Sequence, residues 1–236
     1  MELGEILSDA LVYPFHNIKA LVIYVILGII LGIAVGGTVA TILVSAAAKN
    51  ALAVIGSGII GIIIALIIGF LITGYELDIV KFGIERDPGS PGLDFVRQFI
   101  NGIKFFVVYI VYMIVPIIIS SILAVIFQLW LSGIISAIVS IIFGLALLMG
   151  QCRLAKTEDI GYALAIGDAI GDISRVGIVK LLLFIILVFI IVFVLLILCG
   201  LILRWNGTIG GILMGILGVY IAFFSSRAVG LLYSDV

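Results

Sequence analysis

Six ionisable residues stand where apolar stretches meet polar sequence, and they are the side chains best placed to do chemistry. Lys19, Lys104 and Lys180 open apolar runs, while Glu76, Arg153 and Arg227 lie just past the ends of others. Gathered into one ring, they would form a net-cationic rim that favours anions or lipid phosphates at a membrane surface. Standing apart, each would instead reach a headgroup while its stem stays in the apolar phase.

Other reactive types are sparse. The single His16 has no Ser or Cys with a nucleophile signature around it, so it reads as an interface residue. Asp168 and Asp172 are four apart and share a helix face. Two carboxylates are fewer oxygen ligands than a hard cation takes, so a solvated acidic face is the better reading. Cys152 and Cys199 fall at opposite ends of their apolar runs, about 30 Å apart across a bilayer, too far for a disulfide. No phosphate-binding loop, zinc-protease motif or dinucleotide fingerprint occurs. We therefore expect no enzyme activity, no cofactor and no metal.

The elements that carry these residues are apolar. The 236 residues are 65% hydrophobic and 11% charged, and mean hydropathy is +1.51. A water-soluble domain is nearer half apolar. With a net charge of −1, no basic face exists to attract nucleic acid. Six runs are long enough to span a bilayer: Ala20–Val44, Ala51–Thr73, Phe105–Phe127, Trp130–Met149, Leu181–Leu203 and Ile209–Ser225. None contains Asp, Glu, Lys, Arg or His, which argues against proton relays or ion paths built on buried charge. The acidic leader before the first run is unlike a cleaved signal peptide.

Charge fixes the orientation. Ten Lys and Arg flank the side that holds both termini, and only Lys49 and Arg204 flank the other. Lys and Arg mark the cytoplasmic side, so both termini should be cytoplasmic in a multi-pass protein of the cell membrane.

An internal repeat organises the chain. Asp9–Lys19, Asp94–Lys104 and Ile170–Lys180 each end in a Lys that opens an apolar run. The returning helices end in Gly-Tyr-Glu-Leu (74–77), Gly-Gln-Cys-Arg-Leu (150–154) and Ser-Ser-Arg-Ala (225–228). The fold expected is all-α: one domain, 1–236, of three helical hairpins (repeats 1–84, 85–159 and 160–236) in pseudo-threefold array. Convergent use of Lys at helix starts would give a similar pattern. Each hairpin would be preceded by an amphipathic interfacial segment. The first, Glu2–Asn17, places Leu3, Ile6, Leu7, Ala10, Leu11 and Pro14 at helical spacing, and the second places Leu93, Val96, Phe99, Ile100 and Ile103 on one face. The third, around Ile160–Val179, is less regular.

Glycine suggests how the helices pack. Gly28, Gly32 and Gly36 recur every four residues in the first span, as do Gly207, Gly211 and Gly215 in the last. Small residues on one face let backbones approach, so these helices should touch and close the ring. The fifth span is bulky all round and should lie towards lipid. Pro116 should distort the third span, with Ser120 and Ser121 nearby.

The repeated hairpins, the Gly-Tyr-Glu-Leu helix end and the Asn-Gly-Ile-Lys helix start (101–104) resemble domain-of-unknown-function family 4013, a prokaryotic family common in methanogenic archaea. The resemblance implies a six-helix integral membrane protein and brings no catalytic residues. The three-times-two plan also looks like mitochondrial carriers, but their Pro-x-Asp/Glu-x-x-Lys/Arg signature is missing.

Two functions fit this reading. One is a protein that binds or passes a small solute or lipid, such as an anionic lipid, between its helices. The other is a scaffold or accessory subunit that binds other membrane proteins.

Overall fold

The computed structural model describes residues 1–236 apart from Asn17 and Asn206, and apart from the side chains of residues 203, 205 and 207–212. The described residues form nine helices and no strand: α1 (Leu3–His16), α2 (Ile18–Ala47), α3 (Ala51–Ile84), α4 (Phe95–Ile126), α5 (Leu129–Thr157), α6 (Ile160–Ala163), α7 (Ile166–Val176), α8 (Ile178–Trp205) and α9 (Gly207–Tyr233). Six of them (α2, α3, α4, α5, and most of α8 and α9) are long and apolar enough to cross a bilayer. The chain is a multi-pass, all-helical membrane protein.

Local chemistry sets the turns. Asn50 caps α3 by accepting from the Ala53 N–H at 3.1 Å, after Lys49 turns the chain in the left-handed region. Asp94 caps α4 in the same way, accepting from Arg97 N–H. Asp159 caps the short α6. Gly177, at φ 94°, separates α7 from α8, a conformation that glycine adopts without steric cost.

The expected spans are correct in place but too short at the charged end. α3 runs on from Thr73 to Ile84, α5 from Met149 to Thr157, and α9 from Ser225 to Tyr233. The second amphipathic segment is not a separate interfacial helix, because it forms the first turns of α4. Nothing between Asp94 and Lys104 breaks the helix, and Gly102 stays helical within it.

These extra turns make the core. Buried side chains gather where α3, α5 and α9 end and where α1, α2, α4 and α8 begin. Elsewhere large apolar residues face outward, as lipid-exposed surface does. Only 11% of the central windows of α2, α3 and α5 is buried within the protein. Of the α1 face expected to lie on lipid, Ile6, Ala10 and Pro14 are buried in protein, with Tyr13 beside them, and α1 packs on α9. Tyr220 of α9 donates to the Leu11 carbonyl at 2.7 Å, which fixes the two helices together.

Close backbone crossings hold this end. A Cβ on Gly74 would stand 1.8 Å from the Gln98 carbonyl oxygen, and one on Gly102 would stand 2.1 Å from that of Phe70, so α3 and α4 touch main chain to main chain. Gly83 and Gly230 bring α3 and α9 together in the same way. The glycines singled out by spacing are less tightly placed. Gly28 faces Val219 and Gly215 faces Ile29, so α2 and α9 do meet, but open space surrounds Gly32 and Gly36. The side-chain positions of Gly207 and Gly211 lie outside the described residues. α8 packs mainly on α9 and exposes Leu182, Ile186, Phe189 and Phe193.

Substitution should separate these classes. Gly102→Ala and Gly230→Ala force helices apart and should cost about 1–3 kcal/mol. Gly32→Ala meets nothing and should be neutral or slightly stabilising. Apparent melting temperatures in detergent would show this order; equal losses at all three positions would contradict the packing.

Candidate functional site

Polar side chains are brought together at three junctions, each joining the end of one returning helix to a segment later or earlier in the chain. At the first, Asp78 of α3 is nearly buried and accepts from Arg97 Nη2 at 2.8 Å and from Gln98 Nε2 at 3.2 Å. Gln98 also donates to the Gly92 carbonyl, while its own Oε1 accepts from the Tyr24 hydroxyl at 2.8 Å.

At the second junction, Arg153 of α5 is 2% exposed and Asp172 of α7 is fully buried. The pair meets at 3.0 Å. Arg153 also donates to Asp168 and to the Tyr162 carbonyl, and it stacks 3.8 Å from the Tyr162 ring centre. Asp172 accepts further bonds from the Tyr233 hydroxyl and from Arg175. At the third junction, Arg227 of α9 is 2% exposed and bonds Asp9 of α1 at 2.7 Å. Its Nη1 donates to the Phe82 and Asp87 carbonyls, and its guanidinium lies over the Tyr13 ring.

A buried charge is tolerated only when paired and fully hydrogen-bonded. Arg153 and Arg227 meet that condition through several acceptors each. The Tyr13 hydroxyl beside Arg227 is buried without a hydrogen-bond partner among the described residues. Burial pushes its ionisation above the ordinary tyrosine range, so it stays protonated.

Two more clusters lie nearer the surface. Glu158, in the left-handed region at φ 57°, receives Lys81 at 3.2 Å and Arg97 at 3.3 Å on one carboxylate oxygen. Lys104 donates to its main-chain carbonyl at 2.8 Å. Partial burial pushes the Glu158 carboxyl up, but the hydrogen bond and charge of Lys81, with Arg97 and Lys104, hold it below its usual range. Asp235 receives the Met1 ammonium at 3.0 Å, Lys180 at 3.5 Å, and Arg86. The ammonium, chiefly, holds that carboxyl low.

The six residues expected at the rim therefore do not form one ring. Arg153 and Arg227 are consumed in separate buried pairs, Lys104 and Lys180 belong to the two surface clusters, Lys19 is exposed, and Glu76 is half-buried on α3. Asp172 is not part of a solvated acidic face, because α7 turns it onto Arg153; only Asp168 is exposed. Asp9, Asp78, Arg97 and Gln98 were not singled out by type and spacing. A signal existed for Asp9, which opens the first repeated segment. Neither cysteine is in a disulfide, and no group of three His, Cys, Asp or Glu gathers among the described residues.

Clefts open sideways from the bundle. One of about 260 Å³ lies between α3 and α4, lined by Phe70, Thr73, Phe105 and Tyr109 among others. One of about 310 Å³ between α4 and α5 is lined by Pro116, Ser120, Ser121 and Ser140. A larger one, about 450 Å³, is an apolar groove whose walls include Leu195, Leu198, Cys199, Leu217 and Tyr220 of α8 and α9, with Phe15 and Leu21 at one end.

The family model described as "Protein of unknown function (DUF4013)" matches residues 57–204. The chain belongs to this family. The matched stretch carries Asp78, Arg97, Gln98, Arg153, Glu158 and Asp172, while Asp9 and Arg227 of the third junction lie outside it. No curated protein and no solved structure gives a significant match to this DUF4013 chain.

Burial ranks the charges for mutation. Asp172→Asn leaves Arg153 without its buried counter-charge and should cost about 3–5 kcal/mol. Arg175→Ala removes a 69% exposed partner of the same carboxylate and should cost less than about 1 kcal/mol. Thermal unfolding in detergent measures both.

Glu158 predicts a pH dependence. A carboxyl held low in the folded state stabilises above its unfolded pKa, about 4.3, and the contribution disappears as pH falls through the lowered folded value. Glu158→Gln should therefore lower the melting temperature at pH 7 and match the parent protein in strong acid. A difference that persists or grows in acid would contradict the assigned contacts.

Proposed function

We propose that this DUF4013 protein is a non-enzymatic membrane protein that binds other membrane components along its flanks, as a scaffold or accessory subunit. The observation that carries this reading is the contrast between its two kinds of interior. At the charged end α3, α5 and α9 pack on one another, sealed by glycine crossings and buried guanidinium pairs. Lateral clefts open between α3 and α4, between α4 and α5, and, as a roomier apolar groove, between α8 and α9. A closed end with open flanks suits lateral recognition better than conduction through the centre.

On this reading the chain is three hairpins in pseudo-threefold array. α3 packs on the start of α4, α5 on α7, and α9 on α1, so each returning helix meets the beginning of the next unit and the last meets the first. At least one ion pair bridges each contact, with its polarity reversed at Asp78–Arg97. Both termini lie in the cytoplasm, in keeping with ten Lys and Arg against two, and the protein resides in the cell membrane.

A second reading, passage or binding of a small solute or lipid, is favoured by the α4–α5 cleft. There Ser120, Ser121 and Ser140 place hydroxyls beside Pro116 at membrane depth.

A photo-reactive residue in the groove separates the two. In native membranes, a benzoylphenylalanine replacing Leu217 should give discrete protein adducts, and one replacing exposed Ile186 should give lipid adducts only. Lipid adducts alone at both positions, together with solute or lipid flux in liposomes that Ser120→Leu abolishes, would overturn the scaffold reading in favour of the second.

A further inference from the structure

We propose that Lys81, Arg97 and Lys104 form a binding site for a phosphate group, and that the Glu158 carboxylate occupies it as a built-in, displaceable competitor. The three cations come from the last turns of α3 and the first turns of α4, and all reach one residue of the connector after α5. Lys104 opens the apolar run of α4, which puts the cluster at headgroup depth. Lys81, Arg97 and Glu158 are each about one-third exposed, so an external anion has access.

Charge within the cluster is unbalanced. Three cations face two carboxylates, and one of those, Asp78, is committed to Arg97 and Gln98. Among the described residues Lys104 donates to the Glu158 carbonyl and forms no ion pair with a carboxylate. When Glu158 withdraws, two net positive charges remain. A phosphomonoester carries about −1.5 to −2 at neutral pH and matches that better than a singly charged phosphodiester. Its three oxygens can accept from two ammonium groups and a guanidinium together.

Glu158 is placed to leave. Its main-chain N–H caps α5 on the Leu154 carbonyl, a bond that does not need the side chain. Its left-handed backbone is uncommon for a residue with a Cβ, and the connector runs straight on to Asp159 and α6. Lys81 and Arg97 both donate to a single carboxylate oxygen, Oε1, a poorer arrangement than a phosphate would offer.

The test uses the full chain in detergent, with native mass spectrometry counting bound dioctanoyl phosphatidic acid. Dioctanoyl phosphatidylglycerol and phosphatidylcholine serve as mono-anionic and zwitterionic controls. The parent protein should bind one phosphatidic acid saturably, bind phosphatidylglycerol more weakly, and not select phosphatidylcholine. Lys104→Ala should weaken binding about tenfold, and Glu158→Gln should tighten it about tenfold. Glu158→Gly removes the carboxylate while keeping the left-handed turn, and should tighten binding even if the Gln variant folds poorly. Inorganic phosphate identifies the source: displacement at similar concentration marks a free phosphate as the ligand, and failure to displace marks a lipid headgroup. Weakened or unchanged binding in both Glu158 variants would overturn the proposal, as would equal affinity for all three lipids. Neither result bears on the α8–α9 groove, which the photo-crosslinking reads separately.

Discussion

Two guanidiniums buried to 2% exposure, Arg153 and Arg227, are the constraint around which the charged end of this protein is built. Each sits on the last turns of a returning helix, where lipid no longer solvates the chain and water is not admitted. A charge there is stable only with a carboxylate and several further acceptors in place. Those acceptors come from α1, α6, α7, the last turn of α3 and the α3–α4 connection. Each arginine therefore fixes the position of elements far away in sequence, and the helices that carry them must extend beyond the apolar run to reach their partners.

The rest of the architecture follows from where the apolar side chains go. Inside the bilayer, burial against protein gains little over burial in lipid, so helices there associate through small residues and polar contacts. The spans accordingly leave Ile, Leu and Phe outward over most of their length. Towards the charged ends of the runs the helices bury side chains against one another: Tyr24, Tyr75 and Phe223 in one cluster, and Met149 and Phe224 in a second. Gly74, Gly83, Gly102 and Gly230 let the main chains approach at that depth. The protein is thus sealed at one end and laterally open along its length.

Much of this was legible from the chain alone, because hydropathy reports lipid directly. The six spans and the family needed only apolar runs and a few short motifs. The ends of α3, α5 and α9 were missed because their last turns carry Asp78, Arg153 and Arg227, which read as the start of a polar loop. Arg153 and Arg227 were noticed by type, yet not as buried pairs: their partners Asp172 and Asp9 stand 19 and 218 residues away, and no local spacing encodes that. Glycine misled for a similar reason. Regular four-residue spacing drew attention to Gly32 and Gly36, which meet nothing, whereas Gly74 and Gly102 have no periodic partner on their own helix and matter only through the helix opposite.

The two native thiols allow a direct test of the sealed end. Cys152 is fully buried beside Arg153, and Cys199 lines the lateral groove. Maleimide labelling rates in permeabilised membranes, read separately for each cysteine, measure whether that end stays closed. The account predicts that Cys152 stays unlabelled over hours in the parent protein and labels readily in Arg153→Ala. Rapid labelling of Cys152 in the parent protein, as fast as in detergent-unfolded chain, would contradict it.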